Sequence, residues 1–235
     1  KDSKVDLALQ GETLRSYPVV KYCVKNKISY RSVSNLSDPN LKSLILNLKS
    51  PVAVLADFGL IIPQEILNAF PKGIINIHPS LLPKYRGPTP VQTAILNGEK
   101  VTGVSIIKLD DKIDHGPLLG QEKEEILTND TSESLYKRLF EKGANLLLKL
   151  LNNYLEGNIK PSAQNHKNAT FTKLLTRQDG YLDISNTTTA VTKIDRMIRA
   201  YFPWPGVWFK TALNGSEKII KLLPNYLKSQ YPDSP

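Results

Sequence analysis

The sequence predicts an α/β fold with a mainly parallel sheet. Short apolar runs bounded by turn residues recur at 52–56 and 74–78, the pattern of buried strands. Helical patterns alternate with them, which is the element order of α/β proteins. No internal repeat competes with this reading, and from residue 158 the composition changes to Asn, Lys and Ser.

The elements follow in order. Residues 1–15 are polar and irregular. Ser16–Tyr17–Pro18 opens a helix to about Lys25, with proline in its first turn. A short strand is expected at Ile28–Val33. Ser37–Asp38–Pro39 starts a second helix with Leu41, Leu44, Ile45 and Leu48 at helical spacing. Val52–Ala56 is continuously apolar, as in a strand buried on both faces. Pro63 opens a short helix to about Phe70, and Ile74–His78 is the central strand. Thr89, Pro90 and Gln92 read as a capping box before a helix that Asn97–Gly98 ends. Thr102–Leu109 is a strand, Asp110–Pro117 a polar turn, and Leu118–Glu125 a strand antiparallel to its neighbour. Asp130–Glu133 caps a long helix that ends at about Glu156, before Gly157. Residues 158–170 read as a linker, and a helix follows at 188–200. Val207–Leu213 and Lys218–Leu223 form a hairpin turned at Asn214–Gly215. A lone hairpin is marginal in water, so it either packs on the preceding elements or belongs to a second domain.

The 235 residues contain 40% hydrophobic and 23% charged residues, an ordinary soluble composition. The sequence has no apolar run long enough to span a bilayer and no signal-peptide pattern. One cysteine, Cys23, excludes an internal disulfide and a cysteine metal cluster, and fits a reducing, cytosolic setting. The formal charge of +9 is read either as a basic surface that aids solubility or as attraction to a polyanion such as nucleic acid. The chain begins at Lys1 and its only methionine is Met197, the pattern of a fragment.

The central strand carries the candidate chemistry. Asn76 and His78 are two residues apart, so they project from one face at the strand's end. In open α/β sheets ligands bind beyond the carboxyl ends of the strands. Three segments meet that description: 56–60, 76–80 and the turn 110–117, which holds Asp114. An amide, an imidazole and a carboxylate suit acyl transfer without a covalent intermediate. Asn76 can donate to an oxyanion, His78 can share that role or deliver a proton, and Asp114 can raise the pKa of His78. Ser80 is read as shaping the loop. A metal held by His78, Asp114 and His115 ranks lower, because no tight His-x-x-x-His spacing is present. No GxGxxG or P-loop motif occurs.

The stretch Asn76–Ile77–His78–Pro79–Ser80–Leu81–Leu82–Pro83–Lys84–Tyr85–Arg86–Gly87 resembles the hallmark loop of the 10-formyltetrahydrofolate-dependent formyltransferases. Thr102–Gly103–Val104–Ser105 and Lys112–Ile113–Asp114–His115–Gly116–Pro117 resemble the second hallmark, and the similarity runs over nearly all of 16–210. The resemblance implies a Rossmann-like formyltransferase sheet flanked by helices, with Asn76, His78 and Asp114 as catalytic triad. It implies a pterin pocket lined by 56–62 and 107–114, with Phe58, Gly59, Leu60, Ile61, Ser80, Leu81, Leu82, Pro83, Leu109 and Asp110 as cofactor-binding residues and no metal.

Within the family, the branch acting on methionyl-tRNA is most similar, through Pro90–Val91–Gln92, 172–180 and Pro203–Trp204–Pro205–Gly206. The implied reaction is formyl transfer from 10-formyltetrahydrofolate, as co-substrate, to the amino group of initiator methionyl-tRNA, by a cytoplasmic monomer without a membrane anchor. The alternatives are a sugar-nucleotide amine formyltransferase and a catalytically impaired folate- or tRNA-binding remnant. The expected organisation is a catalytic domain at 1–157 lacking its first βα unit, a linker and helix at 158–202, and at 203–235 a hairpin remnant of a C-terminal barrel domain. The basic, Gly-rich loop by which that branch contacts tRNA is not recognisable in 1–16.

Overall fold

A computed structural model describes residues 18–31, 33, 35–184, 190–213 and 216–224. The chain divides into two compact units, residues 1–51 with 60–71, and residues 52–59 with 72–235. The expected hairpin turn, Asn214–Gly215, lies outside the described residues.

The first unit carries α1 (Pro18–Lys25), α2 (Pro39–Asn47) and α3 (Gln64–Asn68). Pro18 and Pro39 open their helices, where a missing N–H breaks no intrahelical bond. Asp38 caps α2, its carboxylate accepting the Asn40 N–H at 2.9 Å. Lys42 of α2 pairs with Glu65 of α3 at 2.5 Å. The strand expected at Ile28–Val33 is not formed among the described residues. Ile28 is 48% exposed. A strand also needs a ladder partner for its backbone groups, and none pairs with this segment among the described residues.

The second unit is built on a four-stranded sheet in the order β1 (Ala53–Ala56), β2 (Ile74–His78), β3 (Val101–Lys108), β4 (Leu118–Glu125). β1 and β2 are parallel, whereas β2–β3 and β3–β4 are antiparallel. The expected antiparallel neighbour of Leu118–Glu125 is therefore present. The mainly parallel sheet is not found among the described strands, and the reason is length. The helix between β2 and β3, α4 (Pro90–Leu96), has seven residues, or roughly 10 Å at 1.5 Å per residue. It does not carry the chain back to the start of β2, so β3 sets out from the end where β2 finishes. β1 also departs from expectation. Its burial alternates and Val54 is 48% exposed, because β1 is an outer strand of the four and is covered on one face.

Every residue of β2 is buried. Ile75 and Ile77 pack with Val104, Ile106 and Leu119 against Leu147 and Tyr154 of the long helix α5 (Ser132–Leu155). Leu135, Leu139, Gly143 and Leu147 recur along α5 at helical spacing and are buried. The start of α5 is fixed by a capping box. Thr131 Oγ1 accepts the Ser134 N–H at 3.3 Å, and Ser134 Oγ accepts the Thr131 N–H at 3.1 Å. The box expected at Thr89 does not form, because the Thr89 hydroxyl donates instead to the Lys173 carbonyl at 2.8 Å.

A second apolar cluster joins Val91 and Ile95 of α4, Leu135 and Leu139 of α5, Ala200 of α6 (Val191–Ala200), and Val207. Val207 begins the hairpin of β5 (Val207–Leu213) and β6 (Ser216–Leu222). Val207 is fully buried, and the Leu182 N–H donates to the Trp208 carbonyl at 2.8 Å. The hairpin is thus packed on the preceding elements of its unit.

Candidate active site

Asn76 and His78 lie on the face of β2 opposite the Ile75–Ile77 face, and both are buried. Among the described residues none hydrogen-bonds the Asn76 amide, so its N–H groups remain available for a ligand. His78 is held from two sides. Its Nε2 lies 2.9 Å from the Tyr85 carbonyl. A carbonyl only accepts, so Nε2 carries the proton. Nδ1 then faces Asp114, with Oδ1 at 3.5 Å. Burial pushes the imidazole below its ordinary pKa, while the Asp114 carboxylate works against that shift.

Asp114 has φ +47°, a left-handed backbone that aspartate tolerates better than most residues. Its second oxygen accepts the Gly87 N–H at 2.7 Å. Gly87 itself has φ +102°, which only glycine adopts readily. Two residues after Asp114, Gly116 lets the turn close against the end of β3. A Cβ there would lie 1.8 Å from the Lys108 carbonyl oxygen. The carboxylate is thus tied to the loop that follows β2, and its own backbone is set by the loop that follows β3.

Three more groups complete the setting; Tyr85 and Arg86 lie in the first hallmark stretch but carry no role assigned from the sequence, and Gln164 lies outside both hallmarks. Tyr85, at φ +61°, turns its carbonyl to His78, while its hydroxyl donates to Glu99 at 2.6 Å. Arg86 is buried and donates through Nη2 to Gln164 Oε1 at 2.7 Å and to His166 Nδ1 at 2.8 Å. Gln164 donates through Nε2 to the carbonyls of Asp114 at 2.8 Å and Gly116 at 2.7 Å. Arg86 and Gln164 are 78 residues apart in the chain, and no spacing rule links such positions.

The other expected site residues have these places. Leu109 donates its N–H to the Ile74 carbonyl at 2.8 Å, beside the start of β2. Asp110 accepts from His115 Nδ1 at 2.6 Å, and His115 stacks on His166 at 4.0 Å. Ser80 is fully buried, its hydroxyl donating to the Lys84 carbonyl at 2.6 Å. The Leu82 N–H donates to Ser105 Oγ at 3.0 Å, Leu81 lies against Gly103, and Pro83 is half-buried. Phe58 is partly exposed beyond β1, with open space around Gly59. Leu60 and Ile61 fall in the first unit and are exposed.

Chemically, the arrangement offers an amide donor without a partner among the described residues, beside a neutral imidazole whose free nitrogen meets a carboxylate. That is a place to bind a developing oxyanion and to accept one proton. Residues 3–151 match the family described as Formyl transferase, Formyl_trans_N. The chain belongs to the formyl transferase family. It is 40% identical over 223 residues to the methionyl-tRNA formyltransferase of Buchnera aphidicola subsp. Schizaphis graminum, covering 94% of this chain and 69% of that protein. It is 42% identical over 197 residues to the methionyl-tRNA formyltransferase of Roseiflexus castenholzii, covering 84% of this chain and 62% of that one. This formyl transferase chain therefore spans about two thirds of the length of these curated relatives. Among solved structures it resembles WlaRD, a sugar 3N-formyl transferase determined in the presence of dTDP and 5-N-formyl-THF. The TM-score is 0.62 at 25% identity, covering 86% of this chain and 68% of that one.

Proposed function

We propose that this formyl transferase moves the formyl group of 10-formyltetrahydrofolate to the α-amino group of initiator methionyl-tRNA, in the cytoplasm, with Asn76, His78 and Asp114 as its catalytic residues. The observation that carries the mechanism is the meeting of β2 and the 110–117 turn, which sets His78 Nδ1 3.5 Å from Asp114 beside the Asn76 amide. The choice of acceptor is supported by relatives about 40% identical that carry the methionyl-tRNA name.

The amine nitrogen attacks the formyl carbon and a C–N bond forms. The carbonyl oxygen becomes an oxyanion, and the Asn76 amide donates to it. His78 Nδ1 carries no proton at this stage, because the Tyr85 carbonyl holds the single N–H of the neutral ring at Nε2. The facing pair of His78 Nδ1 and Asp114 Oδ1 takes the proton that the attacking amine loses. The bond from the formyl carbon to N10 of the folate then breaks, and the proton passes to N10. One proton leaves the amine and one arrives at the leaving nitrogen, so the step balances without a metal or a covalent enzyme intermediate.

The test is transfer of labelled formyl from 10-formyltetrahydrofolate to charged initiator tRNA by the purified chain. Transfer is expected, with kcat lowered roughly 10²–10³-fold in Asn76→Ala, the usual effect of losing one oxyanion donor. The likeness to WlaRD keeps one other acceptor in view. Formylation of a dTDP-linked amino sugar with none of charged tRNA would overturn the acceptor and leave the site chemistry standing.

A further inference from the structure

We propose that Gln164 is a positioning residue for the reaction: through two hydrogen bonds from one amide nitrogen it holds the left-handed backbone at Asp114, so that the carboxylate faces His78. The inference rests on the assignment of Asp114 to catalysis and adds a residue outside both sequence hallmarks.

The geometry is specific. Gln164 is 4% exposed. Its Nε2 donates to the carbonyls of Asp114 and Gly116, at 2.8 and 2.7 Å. Those two accepting carbonyls bracket the turn at the point where the chain runs with φ +47°. A non-glycine residue in that region is disfavoured and persists only where its surroundings over-determine it. The Gln164 Oε1 is occupied as well, accepting from Arg86 Nη2 at 2.7 Å. Arg86 is buried, and its backbone neighbour Gly87 donates its N–H to Asp114 Oδ2.

Asp114 is therefore gripped at both ends. Its carboxylate is held by the loop after β2, and its carbonyl by Gln164, with Arg86 joining the two. The grip on Gln164 itself is firm. Ser162 and Leu118 exchange backbone hydrogen bonds at 2.7 and 2.8 Å, and Thr170 and Thr172 pair with Arg86. A glutamine is suited to the role because its amide offers two donors and an acceptor without adding charge. Glutamate in its place keeps the acceptor for Arg86 and loses both donors.

The experiment compares Gln164→Glu and Gln164→Met, each alone and combined with Asp114→Asn. Gln164→Glu retains the contact to Arg86, so it serves if the methionine variant fails to fold. In formyl transfer, each Gln164 variant is expected to lower kcat about 10–100-fold with the KM for folate little changed, the scale of a misplaced catalytic group. In the Asp114→Asn background the same changes should add almost nothing. A full multiplicative loss in both backgrounds would mark a general structural role and overturn the proposal.

A second readout needs no turnover. In NMR titration, Asp114→Asn lowers the His78 midpoint in the otherwise native chain, because a nearby carboxylate is removed. In either Gln164 variant the same substitution should lower it less, the carboxylate no longer being held at 3.5 Å. An equal drop in both backgrounds overturns the positioning role whether or not the chain transfers formyl. Absence of formyl transfer with an unequal drop fails only the functional reading.

Discussion

At the scale of single residues, His78 carries the pH dependence. Its imidazole titrates below the ordinary value because it is buried, with Asp114 opposing the shift. The unfolded chain therefore binds more protons than the folded one between the folded midpoint and about 6.5, the value for a free histidine. The stability contributed by the neutral ring is complete above about 6.5 and is lost as the pH falls through the folded midpoint. Catalysis should follow the same group, because a protonated Nδ1 cannot take the proton of the attacking amine. The acid limb of kcat/KM is expected below pH 6.5 or so, and Asp114→Asn should move it lower still. A limb lying at or above that pH in the wild-type profile would contradict this assignment. Asn76 and His78 were legible in the sequence because period-two spacing on a strand is a local property. Their pairing with Asp114 drew on the motif resemblance as well. Tyr85 was not legible, since its part in the site is a carbonyl aimed by a left-handed backbone, and a side-chain pattern does not record that.

At the scale of elements, α5 fixes the height of β2. Gly143 sits where the helix crosses the sheet, and a Cβ there would lie 2.5 Å from Ile77 Cγ2 and 2.9 Å from Val104 Cγ2. Ile77 lies between Asn76 and His78 on the strand, so any push from the helix reaches both. Alanine is the better helix former by about 0.5–1 kcal/mol, which favours Gly143→Ala. Overpacking a close-fitted core typically costs 1–3 kcal/mol, and both contacts are tighter than real Cβ atoms tolerate. Packing should win, giving a net loss of about 1–2 kcal/mol in denaturant unfolding together with a reduced kcat. An unchanged or raised midpoint would mean that Ile77 and Val104 can move aside. At the start of the same helix, Thr131→Ala removes the hydroxyl that accepts the Ser134 N–H and should cost about 1 kcal/mol. This capped start was read correctly from sequence, because Thr131 and Ser132 lie next to the helix they begin. The capping box at Thr89 was not, because its hydroxyl is drawn to Lys173, 84 residues away. The parallel sheet was over-read for a related reason. Apolar periodicity identifies strands, while direction depends on where a short helix leaves the chain.

At the scale of the whole second unit, α5 joins two apolar clusters into one body. Leu135 and Leu139 belong to the cluster that holds Val91, Ile95, Ala200 and Val207, while Leu147 and Tyr154 belong to the cluster beneath the sheet. The hairpin and β2 therefore share a helix, although they lie far apart in sequence. This linkage predicts that damage to the hairpin's anchor is felt at β2. Val207 is fully buried, and Val207→Ala leaves a small cavity among α4, α5 and α6. By comparison with other large-to-small core changes the loss should be about 2 kcal/mol. The chain has two tryptophans, and Trp208 is the buried one, adjacent to Val207. In a Trp204→Phe background, Trp208 fluorescence reports the hairpin end, and hydrogen exchange at Asn76 and His78 reports the sheet. If one cooperative body spans both clusters, Val207→Ala should lower the denaturant midpoint seen by fluorescence and the exchange protection of β2 by the same free energy. A fall at Trp208 with β2 protection unchanged would mean that the hairpin unfolds on its own and that α5 does not couple the two clusters.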